Sequence, residues 1–299
     1  MDPVDRGLEY EVVDVFTDVP FTGNPLAVVL GAEGLPTSAL QALAHEFALS
    51  EIAFPMPTDG DGADYRLRIF TPQTELLFAG HPSVGAAWVL ARRGLLAPGP
   101  VVQSCGAGLL PLHVAPDGGR VMLTGGTPSC GPVREPAGLL AGVGLSPDDL
   151  APADLAGDPR DASCGLGFTY LPVVAGALSR IDVDLAALRR LDLGAGGPFG
   201  GLSVVEWDGV AARCRVFAVD AGVSEDPATG SAALGLGAHL VASGLLPGDG
   251  ETAYDVVQGV EMGRPSRLSC VVTAAAGAAV TVRLSGSVVP VATGRIRRP

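Results

Sequence analysis

Asp220 to Leu240 reads DAGVSEDPATGSAALGLGAHL, and the rest of the chain takes its meaning from this stretch. The apolar run Arg215-Val216-Phe217-Ala218-Val219 before it reads as a buried strand. Turn formers and acids follow, and Ala232 to Leu240 reads as a helix with Thr229 or Ser231 as its cap. A loop of small residues entering a helix leaves several backbone N–H groups free, and the helix dipole makes that spot attractive to an anion. No Lys or Arg lies inside the stretch, so backbone amides and hydroxyls would do the holding.

A second version of the pattern lies earlier. Arg68-Ile69-Phe70-Thr71 is strand-like, and Gly80-His81-Pro82-Ser83-Val84-Gly85 follows it. Gly80 and Gly85 align with Gly230 and Gly235, His81 with Ser231, and Arg68-Ile69-Phe70 with Arg215-Val216-Phe217 after a short offset. Matching strand–loop–helix units predict a duplicated domain with a site between its halves. Two ordinary helix starts in a Gly- and Ala-rich chain would give the same glycines.

Four landmarks together resemble the phenazine-biosynthesis PhzF-like isomerases. They are Phe21-Thr22-Gly23-Asn24-Pro25, Ser50-Glu51-Ile52-Ala53-Phe54, Phe78-Ala79-Gly80-His81-Pro82 and Glu225-Asp226-Pro227-Ala228-Thr229-Gly230-Ser231-Ala232. The last is the most specific, and the resemblance runs over most of the chain. It implies an α+β fold like that of diaminopimelate epimerase. Two pseudo-symmetric halves would each wrap a curved β-sheet around a buried central helix, with the active site in the cleft between them.

Composition sets the outer limits. A chain of 299 residues with 47% hydrophobic content supports one large core or two modest ones. Abundant Gly (42) and Pro (25) predict many short elements and turns. The net charge of −13 argues against nucleic-acid and membrane-surface roles. It also repels an anionic substrate at long range, so a local cradle must outweigh the field. No secretory signal opens Met1–Arg6 and no apolar run reaches membrane-spanning length, so a cytoplasmic protein is expected. The five cysteines, Cys105, Cys130, Cys164, Cys214 and Cys270, are scattered, which fits reduced thiols and neither a disulfide framework nor a zinc site.

Along the chain, strands are expected at Tyr10–Phe16, Leu26–Leu30, Ser50–Phe54, Tyr65–Phe70, Leu109–Val114 and Val121–Thr124. A helix capped by Ser38 is expected at Ser38–Phe47, with a polar turn at Thr58–Asp64 and a buried helix at Ala86–Arg93. The N-terminal half is set at residues 1–125 and the C-terminal half at 126–286. The resemblance returns a last strand, about 287–299, to the first half. The C-terminal half is expected to hold a helix near Pro136–Val143 and another at Ser179–Leu191. Its strands are expected at Gly167–Val174, Leu202–Trp207, Cys214–Val219, Ala253–Val260 and Leu268–Ala275. A second buried helix at Ala232–Leu245 and a hairpin of Ala279–Leu284 with Ser287–Ala292 around Gly286 complete it.

Few side chains carry chemistry. Glu51 sits among Leu49, Ile52 and Phe54; it fits a solvent-facing strand position as well as a base whose pKa is raised by an apolar cleft. His81 alone reads as structural or as a group at the cradle, and His45, His113 and His239 read as structural. Glu225 and Asp226 fit capping and dipole roles. Ser231 lacks the nucleophile elbow G-x-S-x-G. The resemblance implies Glu51, His81 and Asp226 as catalytic residues and Asn24, Gly80, Gly230 and Ser231 as substrate-binding ones. The related epimerases use one cysteine per half, and neither cradle has one, so one carboxylate is left to handle the proton. The expectation is a cofactor-independent, metal-free isomerase, possible as a homodimer, acting on a small unsaturated carboxylic acid such as trans-2,3-dihydro-3-hydroxyanthranilate. The alternatives are a proton-shift isomerase or epimerase on another natural-product or amino-acid intermediate, and a non-catalytic binder of small carboxylates.

Overall fold

The computed structural model describes residues 7–58, 60, 62–194 and 200–299. Met1–Arg6 and parts of the expected Thr58–Asp64 turn lie outside them. The chain divides into two compact units, Met1–Leu123 with Ser285–Pro299, and Thr124–Leu284.

The first unit runs β1 (Leu8–Val15), β2 (Asn24–Leu30), α1 (Thr37–Phe47), β3 (Glu51–Met56), β4 (Tyr65–Phe70) and β5 (Glu75–Leu76). It continues with α2 (Gly80–Arg92), β6 (Gly99–Cys105), β7 (Gly108–Val114) and β8 (Arg120–Thr124). Pairing is mixed: β1–β2, β3–β4 and β6–β7 are antiparallel, while β2–β3 and β4–β6 are parallel. α2 is apolar nearly all round, so it cannot lie on a surface; every residue from Gly80 to Leu90 is buried. It packs against β1 to β4 and β7. α1 is amphipathic instead, and Leu40, Leu43 and Ala44 pack with Leu8, Val29, Phe54 and Phe70.

The second unit runs β9 (Ser129–Val133), α3 (Pro136–Gly142), α4 (Ala153–Ala156), β10 (Arg160–Ser163), β11 (Gly167–Pro172), α5 (Leu185–Leu188), β12 (Gly201–Trp207) and β13 (Ala211–Ala218). Then come β14 (Val223–Asp226), α6 (Gly230–Ala242), β15 (Gly250–Gln258) and β16 (Ser266–Ala275), and β17 (Ala278–Ile296) starts here but belongs to the first unit from Ser285 onward. β11–β12 and β13–β15 are parallel, while β9–β10, β10–β11, β12–β13, β13–β14 and β15–β16 are antiparallel. α6 is buried from Gly230 to Val241 and packs on β9, β10, β11 and β16. Two buried tyrosines fasten it: Tyr170 donates to the Ala232 carbonyl and Tyr254 to that of Ala233, each at 2.7 Å. Gly235 makes the first contact possible, because a Cβ there would stand 2.4 Å from the Tyr170 hydroxyl. Among the described residues, no helix is long and apolar enough to cross a membrane.

Several expectations are corrected. The helix expected at Ser179–Leu191 is only a 3-10 turn at Leu178–Arg180 and the short α5. Asp184 caps α5 by accepting from the Ala187 N–H, and Asp182 and Asp184 spend their own N–H groups on the Val143 and Gly142 carbonyls. Ser38 is not the cap of α1; the cap position is Pro36, and no side chain bonds there. α2 starts six residues before Ala86, since Pro82 falls in a first turn where its missing N–H costs nothing.

The hairpin around Gly286 is absent: β17 is one strand of 19 residues. Its residues from Ser285 onward pair antiparallel with β1, from Val15↔Val288 to Leu8↔Ile296. Gly286 is a place of close approach, where a Cβ would meet the Phe16 ring at 2.2 Å. Gly286→Ala is therefore expected to destabilise the protein by roughly 1–3 kcal/mol through overpacking. Phe16→Ala, which empties a fully buried site, should cost about 3–5 kcal/mol. In urea unfolding the double variant should lose clearly less than the two losses added together, and simple additivity would contradict the contact.

Candidate active site

In the first unit, three elements deliver their polar ends to one place. Asn24 opens β2, Glu51 opens β3, and His81 is the second residue of α2. Parallel pairing of Leu26 with Glu51 sets β2 beside β3 at this end. His81 Nε2 lies 3.6 Å from Glu51 Oε2, with the two side chains 3% and 12% exposed. That is beyond hydrogen-bond length. On its other edge, His81 Nδ1 lies 3.3 Å from Asn24 Nδ2, and the Ser50 hydroxyl donates to Asn24 Oδ1 at 3.2 Å. Burial pushes the His81 pKa down to about 3, so the imidazole is neutral at physiological pH.

The start of α2 is braced from behind. Ser83 donates to the Ala79 carbonyl, Gln103 to the Ser83 hydroxyl, and Tyr65 to Gln103, at 2.9, 3.0 and 2.7 Å. Neither α2 nor α6 has a side-chain cap or an acid in its first turn.

The second unit builds its cradle around Asp226, the last residue of β14. The Thr229 hydroxyl donates to Asp226 Oδ2 at 2.6 Å. Thr229 stands at the cap position of α6, but its side chain is turned to this bond and not to the helix, which corrects the capping expectation. Gln258, 1% exposed, ties the loop with both ends of its amide. It donates to the Asp226 carbonyl at 2.7 Å and to the Thr229 hydroxyl at 2.9 Å, and accepts from the Thr229 N–H at 3.1 Å. Ser231 is the second residue of α6 and buried, and Gly230 precedes it. Gln258 escaped the sequence reading. Its signal is alternation: Tyr254 and Val256 face inward, and Gln258 is a polar residue at the next inward position.

The strand before each cradle carries the same device. Arg68 makes paired bonds to Glu75 at 2.7 and 2.6 Å, with its guanidinium 5.1 Å from the Phe70 centroid. Arg215 grips Glu225 at 2.9 and 2.8 Å and lies 5.5 Å from the Phe217 centroid. Glu225 is thus spent on a bidentate ion pair. Of the remaining histidines, His45 is exposed and His113 half-buried. His239 is buried and stacks on Tyr170 with ring centroids 5.4 Å apart. Burial pushes the Cys164 and Cys214 thiols up to about 12 and raises Cys130 and Cys270 as well, which makes them poor thiolates.

Comparison with known proteins shows the family. The family described as phenazine biosynthesis-like protein, PhzC-PhzF, matches residues 13–294. The chain belongs to the PhzF family. It is 34% identical over 289 residues to the trans-2,3-dihydro-3-hydroxyanthranilate isomerase of Pseudomonas aeruginosa, covering 96% of this chain and 98% of the relative. A PhzF-family crystal structure from Bacillus anthracis superposes with a TM-score of 0.85 at 26% identity, covering 97% of this chain and 98% of the other. A hydroxyproline epimerase from Agrobacterium vitis shares the fold at a TM-score of 0.63 and 15% identity, over 97% and 91% of the two chains. The protein is accordingly an isomerase of PhzF type, with a mixed-sheet fold shared with epimerases.

Proposed function

We propose that the protein shifts a proton, and with it a double bond, within a small unsaturated carboxylic acid, without a cofactor. Glu51 takes the proton from one carbon. The C–H electron pair enters the conjugated system, and the same carboxyl group returns the proton to another carbon of that system. The observation that carries this reading is the largely buried Glu51 carboxylate facing a neutral His81 at 3.6 Å. A neutral imidazole can donate to an oxygen of the substrate without competing for the proton that Glu51 moves. The buried, protonated thiols weigh against a pair of cysteine bases. Asp226 and Ser231, with the amides at Gly80 and Gly230, are proposed to hold the substrate's carboxylate and polar groups, as the family resemblance implies. The substrate class follows the name of the Pseudomonas aeruginosa relative. The matched Arg–Glu–Phe devices, and His81 and Ser231 as second residues of α2 and α6, support two units related by pseudo-symmetry, each built around its helix.

Turnover of trans-2,3-dihydro-3-hydroxyanthranilate by desalted, chelator-treated enzyme in D2O tests the proposal. One carboxylate working on one face should place deuterium on that face of the newly protonated carbon. Early product should be less than fully labelled, because an abstracted proton shielded from water partly returns. Full early label on the opposite face would require a second base, and no turnover at all would leave a binding protein or another substrate.

A further inference from the structure

We propose that Asn24 is a positioning residue that fixes the proton of His81 on Nε2, and that Ser50 holds the Asn24 amide in the orientation that does so. Asn24 is completely buried and His81 is 3% exposed, so no water replaces the contacts between them. The Ser50 hydroxyl donates to Asn24 Oδ1 at 3.2 Å, and in this orientation the NH2 end of the amide faces His81. Asn24 Nδ2, a donor only, then lies 3.3 Å from His81 Nδ1. His81 Nδ1 must accept, and in a neutral imidazole the single proton is left on Nε2. Nε2 makes no hydrogen bond of its own and lies on the Glu51 side of the ring, 3.6 Å from Oε2.

Two consequences follow for the reaction. With Nε2 protonated and Nδ1 engaged, neutral His81 has no free lone pair with which to take a proton from carbon. It is a fixed donor, aimed where Glu51 and an oxygen of the substrate meet. The choice of an amide also matters. An aspartate in this place would accept from Nδ1–H and favour the imidazolium, whereas the neutral Asn24 amide rewards only the uncharged ring. The role of Asn24 becomes orientation, in place of the direct substrate contact the resemblance implies. Its catalytic meaning rests on the proposed pairing of Glu51 with His81, but the proton's location can be read without any turnover.

The test is nitrogen-15 NMR of the full chain, with the His81 ring assigned by comparison with His81→Gln. The wild type should show His81 with bare Nδ1 and protonated Nε2 near neutral pH. Asn24→Asp should move the proton to Nδ1 or protonate both nitrogens. It should also lower kcat at least about tenfold while KM changes less, and the conservative Ser50→Thr should keep the wild-type pattern that Ser50→Ala blurs. A wild-type ring carrying its proton on Nδ1 overturns the proposal, since it requires the Asn24 amide to face the other way. So does an Asn24→Asp protein with the wild-type pattern. If Asn24→Asp fails to fold, the wild-type spectrum alone decides. If Glu51→Gln proves fully active while the Nε2–H form is seen, the proposed reaction fails and the tautomer assignment stands.

Discussion

Replacing Glu51 by glutamine is expected to lower kcat/KM about 100- to 10,000-fold, the usual worth of a general base. In activation free energy that is roughly 3–5 kcal/mol. Glutamine keeps the length of the side chain and much of its hydrogen bonding but cannot carry the proton. Glu51 opens β3 and is not part of the large apolar clusters, so the fold should survive, and ligand affinity should change only a few-fold. Glu51→Asp gives an intermediate case: the base remains but is drawn back by a methylene, and displacements near 1 Å can cost about 100-fold. Steady-state kinetics beside an unfolding curve separate these effects. A Glu51→Gln enzyme within about threefold of wild type, far short of the general-base range, removes Glu51 from the mechanism.

Mild acid is expected to destabilise the protein through two buried histidines. Burial holds the folded-state pKa of His81 near 3 and that of His239 near 4, against 6.5 for an ordinary histidine. Above pH 6.5 both rings are neutral whether folded or unfolded, and the full stability is present. As pH falls from 6.5 toward 4 and then 3, the unfolded chain binds protons that the folded chain refuses, and stability declines. At pH 5 each ring should have removed roughly 2 kcal/mol. Asp149, held at about 2 by the Ser146 N–H and hydroxyl and by Arg180, loses its contribution only as pH falls below 3.8 and so does not enter a comparison made at pH 5. Urea unfolding at pH 7.5 and pH 5 should therefore show a large loss in the wild type. In His239→Gln the loss should shrink by about 2 kcal/mol, the share of one ring. Equal losses in the two proteins would mean that His239 is not held neutral by burial.

The sequence could be read well where local chemistry decides and poorly where distant contacts do. The apolar stretches of α2 and α6 announce buried helices on their own, and the landmarks of the family pick out Glu51, His81 and Asn24. Nothing local says that Asn24 and His81, 57 residues apart, share a hydrogen bond, or which ring nitrogen it uses. Gly286 looked like a turn because glycine often makes one; the Phe16 ring, far away in the chain, gives it the opposite role. Residues 179–191 have helical spacing, but the Val143 and Gly142 carbonyls claim the N–H groups of Asp182 and Asp184 first. Gln258 has an inward place on β15 that the alternation with Tyr254 and Val256 makes legible, but its partners Asp226 and Thr229 lie 32 and 29 residues away and nothing local names them.

The pairing of β1 with β17 also fixes an order of events during synthesis. β1 has β2 on one side within the first few dozen residues, but the strand for its other side leaves the ribosome only after the whole second unit. At about 5–20 residues per second, the nascent chain carries that open edge for on the order of ten seconds or more. Contacts of such sequence separation form late because loop closure must precede them. Until then the row of N–H and C=O groups from Leu8 to Val15 can template a strand of another molecule. The first unit is thus begun first and finished last, and its exposure to misassembly and chaperones is set by the length of the unit translated in between.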